Sequence, residues 1–215
     1  MIECVDLGKS YKGHGGDKHV FSGLNFAIER GDHIGLLGRN GAGKTTLIKV
    51  IGGVEFPTEG SIRRSMTCSW PLGFSGGFQG SLTGYDNARF IARIYDQDYN
   101  TVKQFVEEFT EMGRQLANPV KTYSSGMRAR LAFALSLVIE FDCYLIDEVI
   151  MVGDQNFQQK CKVEFFEKRA DRALVIASHS VDVIREYCNK AIILNRGHAT
   201  VYEDIEQALE IYNDL

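Results

Sequence analysis

The run Gly38-Arg39-Asn40-Gly41-Ala42-Gly43-Lys44-Thr45 sets a glycine, four free positions and then Gly-Lys-Thr. Residues of these types at this spacing grip phosphate. The glycines let successive backbone N–H groups turn inward around an anion. The Lys44 ammonium reaches the β- and γ-phosphates of a nucleotide such as ATP, and the Thr45 hydroxyl ligates Mg²⁺. Thr46 supplies a second hydroxyl beside it. Arg39 occupies a free position of the loop. Its side chain could touch phosphate or face solvent, and solvent is the expectation because such positions act through their backbone.

Acids that could complete such a site stand at the end of Cys143-Tyr144-Leu145-Ile146-Asp147-Glu148. An apolar strand of this kind presents its terminal carboxylates at the edge where ligands of parallel sheets bind. Asp147 suits a Mg²⁺ ligand acting through water, and Glu148 a general base that polarises the attacking water. Taken alone, the pair could equally be a strand end with solvated acids. His179 follows another apolar run, Ala173 to Ala177, and a lone histidine there is more often structural than catalytic. Ser124 or Ser125, before a helical stretch, reads first as an N-cap. The same helix start can also attract an anion.

These groups need a scaffold, and the chain supplies an alternation of strands and helices. Met1–Leu7, Phe26–Ile28, His33–Leu37, Tyr144–Ile146, Ala173–Ala177 and Ala191–Leu194 read as strands. Residues 38–52 give a glycine-rich turn and a helix, and 56–60 a turn before another short strand. Asn87–Phe109 is mostly helical in character, and Phe105, Phe109, Met112 and Leu116 form an amphipathic stripe. Arg128–Ile139 reads as a buried helix and Glu203–Tyr212 as a terminal one. The class is α/β with a mainly parallel central sheet. A helix-rich insertion is expected over about 81–136, within a single domain spanning 1–215.

Composition narrows the options. A length of 215 residues suits one domain carrying a small insertion. Hydrophobic residues at 44% and charged residues at 24% are ordinary for a globular protein. A net charge of -4 argues against nucleic acid as a partner. Five scattered cysteines without C-x-x-C spacing suit a reducing compartment rather than zinc or disulfides. Cys143, inside an apolar run, reads as a small buried hydrophobe, and His14 and His19 as exposed loop histidines. The N-terminus has no signal-peptide pattern. The longest apolar run, Leu131–Ile139, falls far short of the roughly 20 residues a membrane span needs.

Taken together, these motifs resemble the ABC ATPase family. Tyr123-Ser124-Ser125-Gly126-Met127 is similar to that family's L-S-G-G-Q signature at Ser124 and Gly126, and departs from it at Tyr123, Ser125 and Met127. The resemblance implies that Tyr11 stacks on adenine and that Gln79 touches Mg²⁺ and senses the partner. It makes Asp154, after Val152-Gly153, the D-loop aspartate and His179 the switch that contacts the γ-phosphate. It also implies that Ser124, Ser125, Gly126 and Met127 of one chain close over the ATP of a second copy. The expected fold is a P-loop NTPase core of RecA type, with an antiparallel β part and the helical insertion.

Phe78, Leu82, Tyr85 and Phe90 could line a groove for a separate membrane-spanning permease, or form core between subdomains. The segment from Ser69 to Gly84, with Lys121 to Arg128, resembles the ATPases that export capsular polysaccharide in Gram-negative bacteria. That implies a peripheral place on the cytoplasmic face of the inner membrane and further export components as partners. The alternatives are the ATPase of an O-antigen or teichoic-type glycan exporter or of another exporter and, behind these, a non-transport ABC ATPase. The latter usually carries coiled-coil insertions or tandem ATPase domains.

Overall fold

A computed structural model describes residues 1–13, 16–72, 79–147 and 154–215. The chain divides into two compact units, Met1–Pro71 with Phe141–Glu148 and Ala170–Leu215, and Leu72–Glu140 with Val149–Arg169. The second is longer than the expected insertion over 81–136 and draws on two stretches of chain.

In the first unit, β3 (His33–Leu37), β5 (Cys143–Asp147), β6 (Ala173–Ala177), β7 (Lys190–Asn195) and β8 (His198–Tyr202) form a sheet ordered β5-β6-β3-β7-β8. The first four run parallel, and β8 pairs antiparallel with β7. Every residue of β6 is buried, as are Cys143–Ile146 of β5. Parallel strands covered on both faces read in this way, as unbroken apolar runs. Helix α1 (Lys44–Ile51) sends Leu47, Ile48, Val50 and Ile51 into the core shared with Leu36, Leu145 and Val175.

A second, antiparallel sheet has the order β2-β1-β4, from β1 (Ile2–Tyr11), β2 (Lys18–Ile28) and β4 (Glu59–Arg64). Two strands differ from the sequence expectation. β1 does not stop at Leu7 but carries on through Lys9 and Ser10 to Tyr11, past register shifts on both sides. β2 starts at Lys18, well before Phe26, so His19 is a strand residue rather than a loop one. Periodicity is a poor guide here, because the register shifts interrupt the apolar/polar alternation an antiparallel strand would otherwise show. Helix α6 (Val181–Tyr187) and helix α7 (Ile205–Asn213) complete the unit.

The second unit holds α2 (Gly84–Ile94), α3 (Tyr99–Thr110), α4 (Ser125–Leu137) and α5 (Gln155–Lys162), with short 3₁₀ turns at Gly113–Ala117 and Val120–Thr122. The helical stretch expected over 87–109 is two helices. Asp96 takes a left-handed φ of 51°, and Asp98 starts α3 by accepting from the Thr101 N–H. The stripe breaks as well: α3 ends at Thr110, capped by a left-handed Glu111 at φ 54°, so Met112 and Leu116 lie beyond it. Leu116 is nonetheless buried. α5 runs on into a π-helical turn, Val163–Glu167. Phe109 and Phe133 both meet the Phe157 ring edge-on, at 5.3 and 6.0 Å between centroids. Among the described residues no helix is long and apolar enough to cross a membrane.

Candidate nucleotide site

Three strands end on the same edge of the parallel sheet, and each delivers one part of the first unit's site. β3 runs into the phosphate loop and then α1. β6, between β5 and β3, is followed two residues later by His179. β5 ends at Asp147, in register with Ala177 of β6, which also pairs with Leu36 of β3.

The loop's conformation depends on its glycines. Gly43 holds φ 106°, and a Cβ there would sit 2.6 Å from Val20 Cγ1. Gly38 runs so close to β7 that a Cβ would meet the Leu194 carbonyl at 2.7 Å. The Lys44 ammonium is buried under the loop and donates to the Gly38 carbonyl at 2.7 Å. It is thus already directed at the concavity the loop encloses.

A cavity of about 400 Å³ opens there, lined by Tyr11, Lys18, His19 and Val20 from the antiparallel sheet, by Asn40, Gly41 and Gly43–Thr46 from the loop, and by His179. It therefore brings together Tyr11, most of the loop and His179. Gly38, Arg39, Ala42 and Asp147 do not border it. The Arg39 side chain is exposed and lies, with Ala42, on a separate hollow beside Asp214 and Leu215. Sequence reasoning missed Lys18 and His19, and only the early start of β2 could have revealed them.

Tyr11 is held as well as placed. Its hydroxyl donates to Glu55 Oε2 at 2.6 Å and lies 3.4 Å from Thr46 Oγ1. Burial and then the Glu55 carboxylate push the phenol's pKa up. Thr45 and Asp147 offer oxygen donors, the kind Mg²⁺ prefers. Among the described residues no group of three or more His, Cys, Asp or Glu could hold a metal ion. Glu148 lies outside the described residues, as do Val152, Gly153, Phe78 and His14.

The second unit carries the remaining candidates. Ser124 caps α4, accepting from the Met127 N–H at 3.2 Å. Next to it the backbone is open: a Cβ on Gly126 would find only Ser124 Oγ, 4.0 Å away. Tyr123, at the position where it departs from the family signature, is buried and donates its hydroxyl to the Gln115 carbonyl at 2.9 Å. Ser124, Gly126, Met127 and Asp154 border one hollow of about 460 Å³, and Ser125 stands exposed among them without lining it.

Asp154 caps α5 by accepting from the Phe157 N–H at 3.0 Å and also pairs with Arg130. The Phe157 N–H and then Arg130 hold its carboxyl below the usual range. Sequence reasoning missed Arg130, whose guanidinium also donates to the Thr110 carbonyl at 3.0 Å. Gln79 is exposed, with its N–H donating to Asn87 Oδ1 at 2.8 Å. Leu82 and Phe90 are 38% and 52% exposed, which removes them from any core. Tyr85 is half-buried and donates to Glu107 at 2.7 Å.

Sheet, phosphate loop and strand-end acid define a nucleotide-binding α/β protein. The chain belongs to the ABC transporter family, whose model matches residues 21–151, and it is an ATP-binding member. It is 57% identical, over all of both chains, to the capsule polysaccharide export ATP-binding protein CtrD of Neisseria meningitidis serogroup B. It is 55% identical to the ATP-binding protein BexA of Haemophilus influenzae, over 100% of this chain and 99% of that one. Among solved structures, a dimeric ATP-binding cassette bound to ADP and Pi matches with TM-score 0.80, covering 95% of this chain and 99% of that one. At 18% identity that likeness speaks for the fold.

Proposed function

We propose that this chain is the ATP-hydrolysing subunit that energises export of capsular polysaccharide, a lipid-linked glycan, through separate membrane-spanning permease subunits. The observation that carries the nucleotide reading is the cavity in which an aromatic ring, the phosphate loop and a strand-end histidine meet. The cargo rests on the full-length similarity to capsule export proteins.

In this mechanism the loop's N–H groups and the α1 N-terminus bind the triphosphate. The Lys44 ammonium exchanges the Gly38 carbonyl for phosphate oxygens. Thr45, Asp147 and Gln79 would hold Mg²⁺, which would supply charge neutralisation at the phosphates. Glu148 accepts a proton from the attacking water, and His179 contacts the γ-phosphate. Positioning and charge neutralisation, not covalent chemistry, lower the barrier. Ser124, Ser125, Gly126 and Met127 of a second copy close over that γ-phosphate, with Asp154 alongside, so the working form is a head-to-tail homodimer at the cytoplasmic face of the inner membrane.

The test is phosphate release from MgATP by the wild type and by Lys44→Ala, joined to surface display of capsule in a strain lacking its own export ATPase. Hydrolysis and display that both depend on Lys44 support the proposal. Hydrolysis without any restored display sinks the cargo assignment, and no hydrolysis even with the permease present sinks the mechanism.

A further inference from the structure

We infer that Glu55 is a positioning residue that fixes the Tyr11 ring as the surface on which the nucleotide base stacks, a role that rests on the reading of this cavity as an ATP site. Glu55 sits in the turn after α1, and nothing in the sequence marks it. Its backbone is set first: the N–H groups of Val54 and Glu55 both donate to the Lys49 carbonyl, at 2.9 and 3.2 Å. Its carboxylate then gathers three side chains from two elements. Tyr11 of β1 donates to it at 2.6 Å, and Lys9 of β1 and Lys49 of α1 pair with it at 3.2 and 3.4 Å.

Lys9 does a second thing. Its ammonium lies 4.9 Å from the centre of the Tyr11 ring and donates to the Phe56 carbonyl at 2.8 Å. One face of the ring is thereby covered by a cation. The ring still lines the cavity and keeps 36% of its surface exposed, so the uncovered face is the one a base can reach. Burial pushes the Glu55 carboxyl up, but the Tyr11, Lys9 and Lys49 donors outweigh it and hold the group ionised. A hydrogen bond to a charged acceptor is stronger than a neutral one and fixes the ring's orientation. A ring already fixed loses less freedom when a base stacks on it, so the anchor acts on nucleotide affinity rather than on bond cleavage.

Glu55 is thus predicted to separate base recognition from phosphate recognition. Calorimetric titration of the full chain compares MgATP with magnesium tripolyphosphate, which offers phosphates but no base. Glu55→Ala is expected to raise the Kd for ATP roughly tenfold while leaving tripolyphosphate within about twofold. In hydrolysis KM rises with kcat unchanged. Glu55→Gln, which keeps an acceptor for the Tyr11 hydroxyl but not the charge, recovers part of the loss. Tyr11→Phe, which removes only that hydroxyl, weakens ATP alike, and adding Glu55→Ala to it has little further effect. Should Glu55→Ala not fold, Tyr11→Phe against the wild type carries the same comparison. Unchanged ATP affinity in folded variants, or equal weakening for both ligands, overturns the inference while leaving the ATP site standing. A wild type that binds tripolyphosphate and ATP equally, or neither, overturns the reading of the site itself.

Discussion

Lys44 and Ser124 illustrate how differently single residues contribute. Lys44 is buried with its charge turned to carbonyl oxygens and adds little to packing. Its removal is therefore expected to leave the melting temperature near wild type and to lower hydrolysis at least about a hundredfold, read by phosphate release. Ser124 would combine two tasks if the proposal holds, because the hydroxyl that caps α4 is also the group proposed to meet a second copy's phosphate. Ser124→Ala should cost about 1 kcal/mol of stability in urea unfolding. If Ser124→Asp, a good cap of the wrong charge, restores stability without restoring hydrolysis, the two tasks are separable.

A lock at the end of the helical unit shows how elements are held together. Arg169, 6% exposed, donates to the Leu137 carbonyl at 2.8 Å, to Glu140 at 2.9 Å and to Glu164 Oε2 at 2.6 Å. It ties the π-helical turn to the end of α4. Burial pushes the Glu164 carboxyl up, yet Lys168 and Arg169 outweigh it and lower its pKa. A lowered folded-state pKa stabilises above the unfolded value, roughly pH 4.3, and that stabilisation fades as pH falls through the folded value. Glu164→Gln should therefore be less stable at neutral pH, by about 2 kcal/mol in urea unfolding, and approach wild type in acid. A gap that stays constant down to about pH 3 would mean the charge is not the cause.

What was legible in the sequence follows the same division. The buried parallel strands and the phosphate loop could be read because unbroken apolar runs and fixed glycines leave few alternatives. The full lengths of β1 and β2 could not, since Lys9, Ser10 and His19 are polar and register shifts interrupt the alternation where they pair. The break between α2 and α3 was missed because it rests on one left-handed Asp96 rather than on glycine or proline. Lys18, His19, Glu55 and Arg130 emerged only when tertiary contacts gave them neighbours.

For the whole molecule, the division of labour decides the assembly expected. The phosphate loop and Tyr11 belong to one compact unit, the Ser124 loop and Asp154 to the other. Glu148→Gln should keep ATP affinity, lose turnover and accumulate as an ATP-dependent dimer in light scattering, whereas a variant that stays monomeric or hydrolyses like wild type would remove Glu148 as the base. The same division has a genetic consequence. Each paired assembly would carry two composite sites, each made from the loop of one copy and the Ser124 segment of the other. A copy broken at Lys44 and a copy broken at Ser124 would then rebuild one sound site between them, with the second doubly broken. Two alleles that are each silent alone would restore capsule export when expressed together.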